Sequence, residues 1–183
     1  MLGETMDMDS KSIHASRRPV KERMQGGLFT AACLTPALPA FILRPIMSAA
    51  PDTVRLIESY YAFFNSCERE AMLALLSEDV VHDINQGASE TGRGSFRAFL
   101  QRMDRCYREQ VTELVVMVNA DGTRAGAEFY IEGAYLQADE GLPPASGQTY
   151  RLRVGAFFEV RDGEIVRVTN YYNLGDWLNQ VTT

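Results

Sequence analysis

Histidine occurs only twice in these 183 residues, tryptophan once and cysteine three times. With His14 and His82 as the whole histidine set, a multi-histidine metal site cannot be assembled, and no metal is expected. Cys33, Cys67 and Cys106 are odd in number, far apart and outside any CxxC or Cys/His zinc spacing. A disulfide framework is therefore not expected, and the thiols fit a reducing compartment, the cytoplasm. Cys106 has no base beside it in sequence and reads as small core filler. Positive charge is scarce too: 18 Lys+Arg against 24 Asp+Glu leave a net charge of −6. A phosphate-backbone binder needs a basic face, so nucleic acid is not an expected partner. The apolar stretch over residues 26–43 is interrupted by Pro36 and Pro39 and is near the short limit for a bilayer, so no membrane span is expected.

What is present changes character near residue 50. Residues 1–46 read as a leader: polar and mixed in charge at first, then apolar with prolines. Two readings of it stay open. Ser16-Arg17-Arg18, the apolar stretch and Ser48-Ala49-Ala50 imitate a twin-arginine export signal. Against that, Arg44 and the prolines break the apolar region, and Glu4, Asp7 and Asp9 precede the arginine pair. In the second reading the leader is disordered or processed, and residues 47–183 form the one folded domain. That length, in a chain 46% hydrophobic, suffices for a core.

From Asp52 the patterning is coherent. Val54, Ile57, Tyr60/Tyr61 and Phe64 recur at helical spacing, with Asp52 or Thr53 as cap. A second helix is expected through "EREAMLALLSEDV", a strand over "VVHDINQG" at 80–87, and a third helix through "SFRAFLQRMDRCYRE" with Phe96, Phe99, Leu100, Met103 and Tyr107 on its apolar stripe. Strands follow. Asn119-Ala120-Asp121-Gly122 and Arg161-Asp162-Gly163 mark two hairpin turns, and "GLPPASG" a loop. Tyr150, Leu152, Val154, Ala156 and Phe158 share one strand face; Arg151, Arg153, Phe157 and Glu159 share the other. Helices followed by a run of strands give an α+β class. Beyond what the periodicity shows, the expected architecture is a cone-shaped α+β barrel, three N-terminal helices packed on a strongly curved, mostly antiparallel sheet.

"YYAFFN", "LLSEDVVHD", "GRGSFRAFL" and "GAFFEVRDGEIVRVTNYYN" together resemble the ketosteroid isomerase and polyketide-cyclase (SnoaL-like) branch of the nuclear-transport-factor-two-like superfamily, over about residues 53–181. The chain also looks like the isomerase-related proteins of bacteria. The resemblance implies an enzyme of isomerase or cyclase type that moves a proton next to a carbonyl of a hydrophobic small molecule, with no organic cofactor. It implies Asp83 as general base and Tyr60, five residues before Asn65, as donor to the enolate oxygen. A second donor in the isomerases, a protonated aspartate, corresponds here to Ala156. Asn170 and Tyr172, on the same face of the last strand as Val168, are the expected polar contacts in its place. Asn85 shares Asp83's parity and either orients the carboxylate or binds ligand. Phe64, Met103 and Phe158 are expected as apolar walls, and His82, opposite in parity to Asp83, is expected at a surface or interface. The resemblance also implies a homodimer through the outward side chains, Arg151, Arg153, Phe157, Tyr171 and Glu159 among them. The alternative to an enzyme is a non-catalytic binding or dimerisation module of the same fold.

Overall fold

The structure, a computed structural model, describes residues 49–85 and 87–182; the expected leader lies outside the described residues. The first helix, α1, spans Ala50–Asn65, with Pro51 in its first turn, where a missing N–H costs nothing, and Asp52 set against the positive helix end. It buries Thr53, Ile57, Tyr60 and Tyr61. Both its ends are fixed to the sheet. The Thr53 hydroxyl donates to the Gly122 carbonyl (2.8 Å), and the Asn65 side chain exchanges two hydrogen bonds with the Val111 backbone (2.9 and 2.8 Å).

A short α2 (Arg69–Leu73) leads into strand β1 (Leu76–Asp83). Here the structure departs from the expected longer helix. Leu76 pairs with Ile165 and lies fully buried, so sheet pairing overrides the helical propensity of the leucine run. A three-residue β2 (Ser89–Thr91) and α3 (Arg93–Cys106) follow, and β3 (Tyr107–Val118) starts where the helix stops. Tyr107, expected on the helix stripe, therefore pairs with Tyr135 instead.

Strands β4 (Arg124–Tyr135), β5 (Gln148–Arg161) and β6 (Glu164–Tyr172) complete the sheet. Both expected hairpin turns form, the second with Asp162 and Gly163 at positive φ (53° and 83°), as a tight turn between twisted strands requires. A fourth helix, α4 (Leu174–Val181), was not expected; the Asn173 side chain caps it by accepting from the Asp176 N–H at 3.1 Å.

The strand order is β2-β1-β6-β5-β4-β3, antiparallel throughout except for the parallel β1–β6 pair. Two edges, β2 and β3, stay unpaired in this order, so the expected barrel is an open sheet. The inner face carries the core. Phe158, Tyr135, Ile165 and Val168 are each at most 1% exposed, and each such side chain contributes about 1.5–3 kcal/mol by leaving water. The outer face is wet and ionic, with Arg151 bridging Glu113 and Glu132, and Arg153 meeting Glu128.

Candidate active site

Alternation along β1 decides which polar groups reach the interior. His82 registers with Val168 and Asp83 with Thr169 of β6; Val168 faces the core, so His82 faces it too and Asp83 faces outward. This exchanges the two expected placements. Val80 and Val81 are both apolar, so the hydrophobic pattern could not choose the face; the neighbouring strand does. Outside, Asp83 accepts from Arg167 Nε (2.7 Å) and Nη2 (3.0 Å), from the Thr169 hydroxyl (2.6 Å) and from the Ser89 hydroxyl. Those donors, Arg167 first, hold its carboxyl far below the ordinary carboxylate range.

His82, 2% exposed, is stacked on Phe96 (ring centroids 4.4 Å) and meets Phe99 edge-on (4.5 Å). Burial lowers its pKa to about 4, so the imidazole is neutral at pH 7. Its Nδ1 atom is buried without a partner, as is the hydroxyl of Tyr61. Such orphans cost roughly 1–3 kcal/mol each, and a ligand that satisfied them would recover it.

His82 borders a cavity of about 420 Å³ between the helices and the inner sheet face. That is within the range of small-molecule sites. Tyr60 and Phe64 of α1, Met103 of α3, and Asn170 and Tyr172 of β6 line it. Asn85 also reaches it, because the strand ends at Asp83 and parity no longer applies; its side chain donates to the Tyr172 carbonyl at 3.3 Å. Phe158 does not line this cavity. It lies beneath, edge-on to Tyr60 (5.6 Å) and Tyr61 (6.1 Å). Ala156 sits on the inner face between Ala127 and Asn170, a methyl where the isomerase-like pattern would place a second donor.

The carboxylates on the cavity wall are others. Glu109 of β3 accepts a 2.6 Å hydrogen bond from the Tyr150 hydroxyl, and burial raises its pKa, a rise that Tyr150 and Arg69 partly offset. Asp139, on the loop after β4, accepts from the Tyr107 hydroxyl at 3.2 Å and has Arg102 Nε 3.8 Å away. The Tyr60 hydroxyl is pushed well above the ordinary phenol range by burial and stays protonated, a donor at any working pH.

A family model for the SnoaL-like domain matches residues 57–168. The chain belongs to the SnoaL-like domain family. A solved Pseudomonas putida protein, provisionally assigned as a polyketide cyclase, is 58% identical over 70% of this chain and 97% of its own, at a TM-score of 0.70. A Kribbella flavida protein, provisionally assigned as a ketosteroid isomerase, is 29% identical over 69% of this chain and 82% of its own (TM-score 0.50). A Burkholderia xenovorans nuclear-transport-factor-two-like protein, 16% identical over 73% of this chain and 98% of its own (TM-score 0.57), shares the fold. Among curated proteins, none matches this sequence.

In this SnoaL-like domain, Glu109, Asp139, Tyr107 and Tyr150 are among the polar wall residues that sequence reasoning missed. Tyr107 and Glu109 were assigned to the end of a helix. In a strand instead, they share the inward parity of Val111, itself 7% exposed. A carboxylate two residues from an inward valine on a strand was the available signal.

Proposed function

We propose that this SnoaL-like domain is an enzyme of isomerase or cyclase type acting on a hydrophobic carbonyl compound, with Glu109 in the base role that the sequence suggested for Asp83. The observation that carries this reading is the half-buried Glu109 carboxylate on the cavity wall, its pKa raised by desolvation. Asp83 is saturated by four hydrogen bonds on the other side of the sheet and is a poor base. In the proposed step Glu109 takes the proton next to the carbonyl, and the Tyr60 hydroxyl donates to the enolate oxygen. Returning the proton to a different carbon gives isomerisation; attack of the carbanion on a second carbonyl of the same molecule gives cyclisation, the attacked C=O opening to an alkoxide that takes the proton back from Glu109. The wall carries Glu109, Asp139 and Glu140 against Arg102, which disfavours an anionic ligand.

Deuterium wash-in at the α-carbons of a panel of cyclic and polyketide-like ketones, read by mass spectrometry, tests this. Glu109→Gln is expected to lower exchange by about 10²–10⁴, the usual worth of a positioned base, with Asp83→Asn close to wild type. Exchange that survives Glu109→Gln, or is lost in Asp83→Asn, overturns the assignment. Ligand binding without exchange would leave a non-catalytic binding module.

The domain is further proposed to form a homodimer through the outer sheet face. Phe157, Tyr171, Met117 and Val115 stand there between 55% and 57% exposed, in company with the ionic groups expected of a self-complementary interface.

A further inference from the structure

The inner-face register places Glu109 of β3 directly opposite Gly133 of β4, and Gly133 directly opposite Tyr150 of β5. The three residues form one row across three strands. Adjacent strands lie about 4.8 Å apart, so residues at the two ends of such a row stand roughly 10 Å apart in their backbones. Yet the Tyr150 hydroxyl lies 2.6 Å from Glu109. The ring covers that distance by lying across β4 over the bare Cα of Gly133. A Cβ built at residue 133 would stand 2.6 Å from both the Cε2 and hydroxyl oxygen atoms of Tyr150, nearer than real side chains tolerate. Gly133 has no positive φ, so backbone freedom does not account for the glycine; the space above it does.

We propose that Gly133 is a positioning residue, whose missing side chain is the slot through which Tyr150 crosses β4 to orient the Glu109 carboxylate. The inference rests on the reading of Glu109 as base. Trp177 of α4 packs against the same ring, edge-on at 5.9 Å. The groups facing Glu109 are Tyr150 from β5, Arg69 from α2 and Tyr172 from β6. Arg69 is already engaged by Asp104 (2.6 Å) and by the Phe64 carbonyl (3.0 Å). Tyr150 is the hydrogen-bond donor to the carboxylate. A donor to a carboxylate favours its charged form, so displacing the phenol makes Glu109 harder to ionise.

The test is the titration of Glu109 itself, followed by carbon NMR of protein labelled at the glutamate carboxyl, with Glu109→Gln identifying the signal. Tyr150→Phe is expected to raise the midpoint by about one pH unit. Gly133→Ala is expected to raise it by a similar amount, although both Glu109 and Tyr150 remain, and the double variant to rise no further than either. A Gly133→Ala midpoint at the wild-type position, or shifts that add in the double variant, overturns the proposal. Should Gly133→Ala fail to fold, Gly133→Ala with Tyr150→Ala must recover folding; continued misfolding overturns the slot as well. The titration needs no substrate, so the two readings fail separately. Expected shifts without deuterium exchange in any ketone would sustain the slot and sink the enzyme; exchange lost in Glu109→Gln with an unmoved Gly133→Ala midpoint would do the reverse.

Discussion

Asp83 stands on the outer face of the sheet between a guanidinium and two hydroxyls, while Glu109 stands on the inner face with one phenol as hydrogen-bond partner. The two carboxyls are chemically almost alike. Their surroundings drive them in opposite directions: the donors around Asp83 lower its pKa, and burial raises that of Glu109. A carboxylate with many donors is a structural anchor; one with few donors and little water is a candidate reagent. Position at the end of a strand carries neither message.

The difference between the two faces is most sharply broken at β5, where neighbours point opposite ways. Phe158 is 1% exposed and Phe157 57%. Phe158→Ala is expected to cost about 3–5 kcal/mol in chemical denaturation. Phe157→Ala should cost the fold well under 1 kcal/mol, while shifting sedimentation from dimer towards monomer if the outer face pairs with a second copy. Equal losses from the two variants would mean the faces are not distinct.

Next in size is His82, neighbour of Asp83 and buried where Asp83 is not. Its native pKa, lowered to about 4, lies below the ordinary histidine value of 6.5. The unfolded chain therefore binds the proton first, and stability falls as pH drops from 6.5 towards 4, by about 2–3 kcal/mol in all. His82→Gln should flatten that part of the stability–pH curve; an unchanged slope would place the acid sensitivity elsewhere.

The smallest effects separate the carboxylates themselves. Asp83 has a depressed native pKa, so its stabilisation is present above the ordinary carboxylate range and is lost as pH falls below it. At pH 7 Asp83→Asn should cost about 1 kcal/mol, as a partly exposed ion pair does. Glu109 has a raised native pKa, so it opposes folding increasingly as pH rises through that range. Glu109→Gln should therefore stabilise the protein at pH 7 while lowering exchange. Thermal melts of both variants at pH 4 and pH 7 check the opposite signs.

These particulars also show what could be read in the chain. The hairpins at 119–122 and 161–163 and the inward row from Tyr150 to Phe158 were legible, because turn chemistry and strict alternation are local. The β6 face was legible for the same reason, bringing Asn170 and Tyr172 to the cavity. The ends of α2 and α3 were not. "LALL" and "RCYRE" suit a helix until Leu76 meets Ile165 and Tyr107 meets Tyr135, partners distant in sequence. Misplacing the α3 boundary hid Glu109, and the two valines before His82 left the face of β1 undecided. Family likeness supplied the cavity and its tyrosine, and long-range register decided which carboxylate stands in it.

One pairing has a consequence for how fast this domain comes into being. Strand β1, which supplies His82, joins the sheet only through β2 and the parallel β6, near the far end of the described chain. Contacts so remote in sequence are late events in folding, because a long loop must close before they return any free energy. A chain leaving the ribosome can assemble the β3–β4 hairpin and offer Glu109 early, but it has no enclosed cavity until β6 has emerged and docked. Ligand binding would then time-stamp the final step of refolding, appearing with the slowest phase and not with the first collapse.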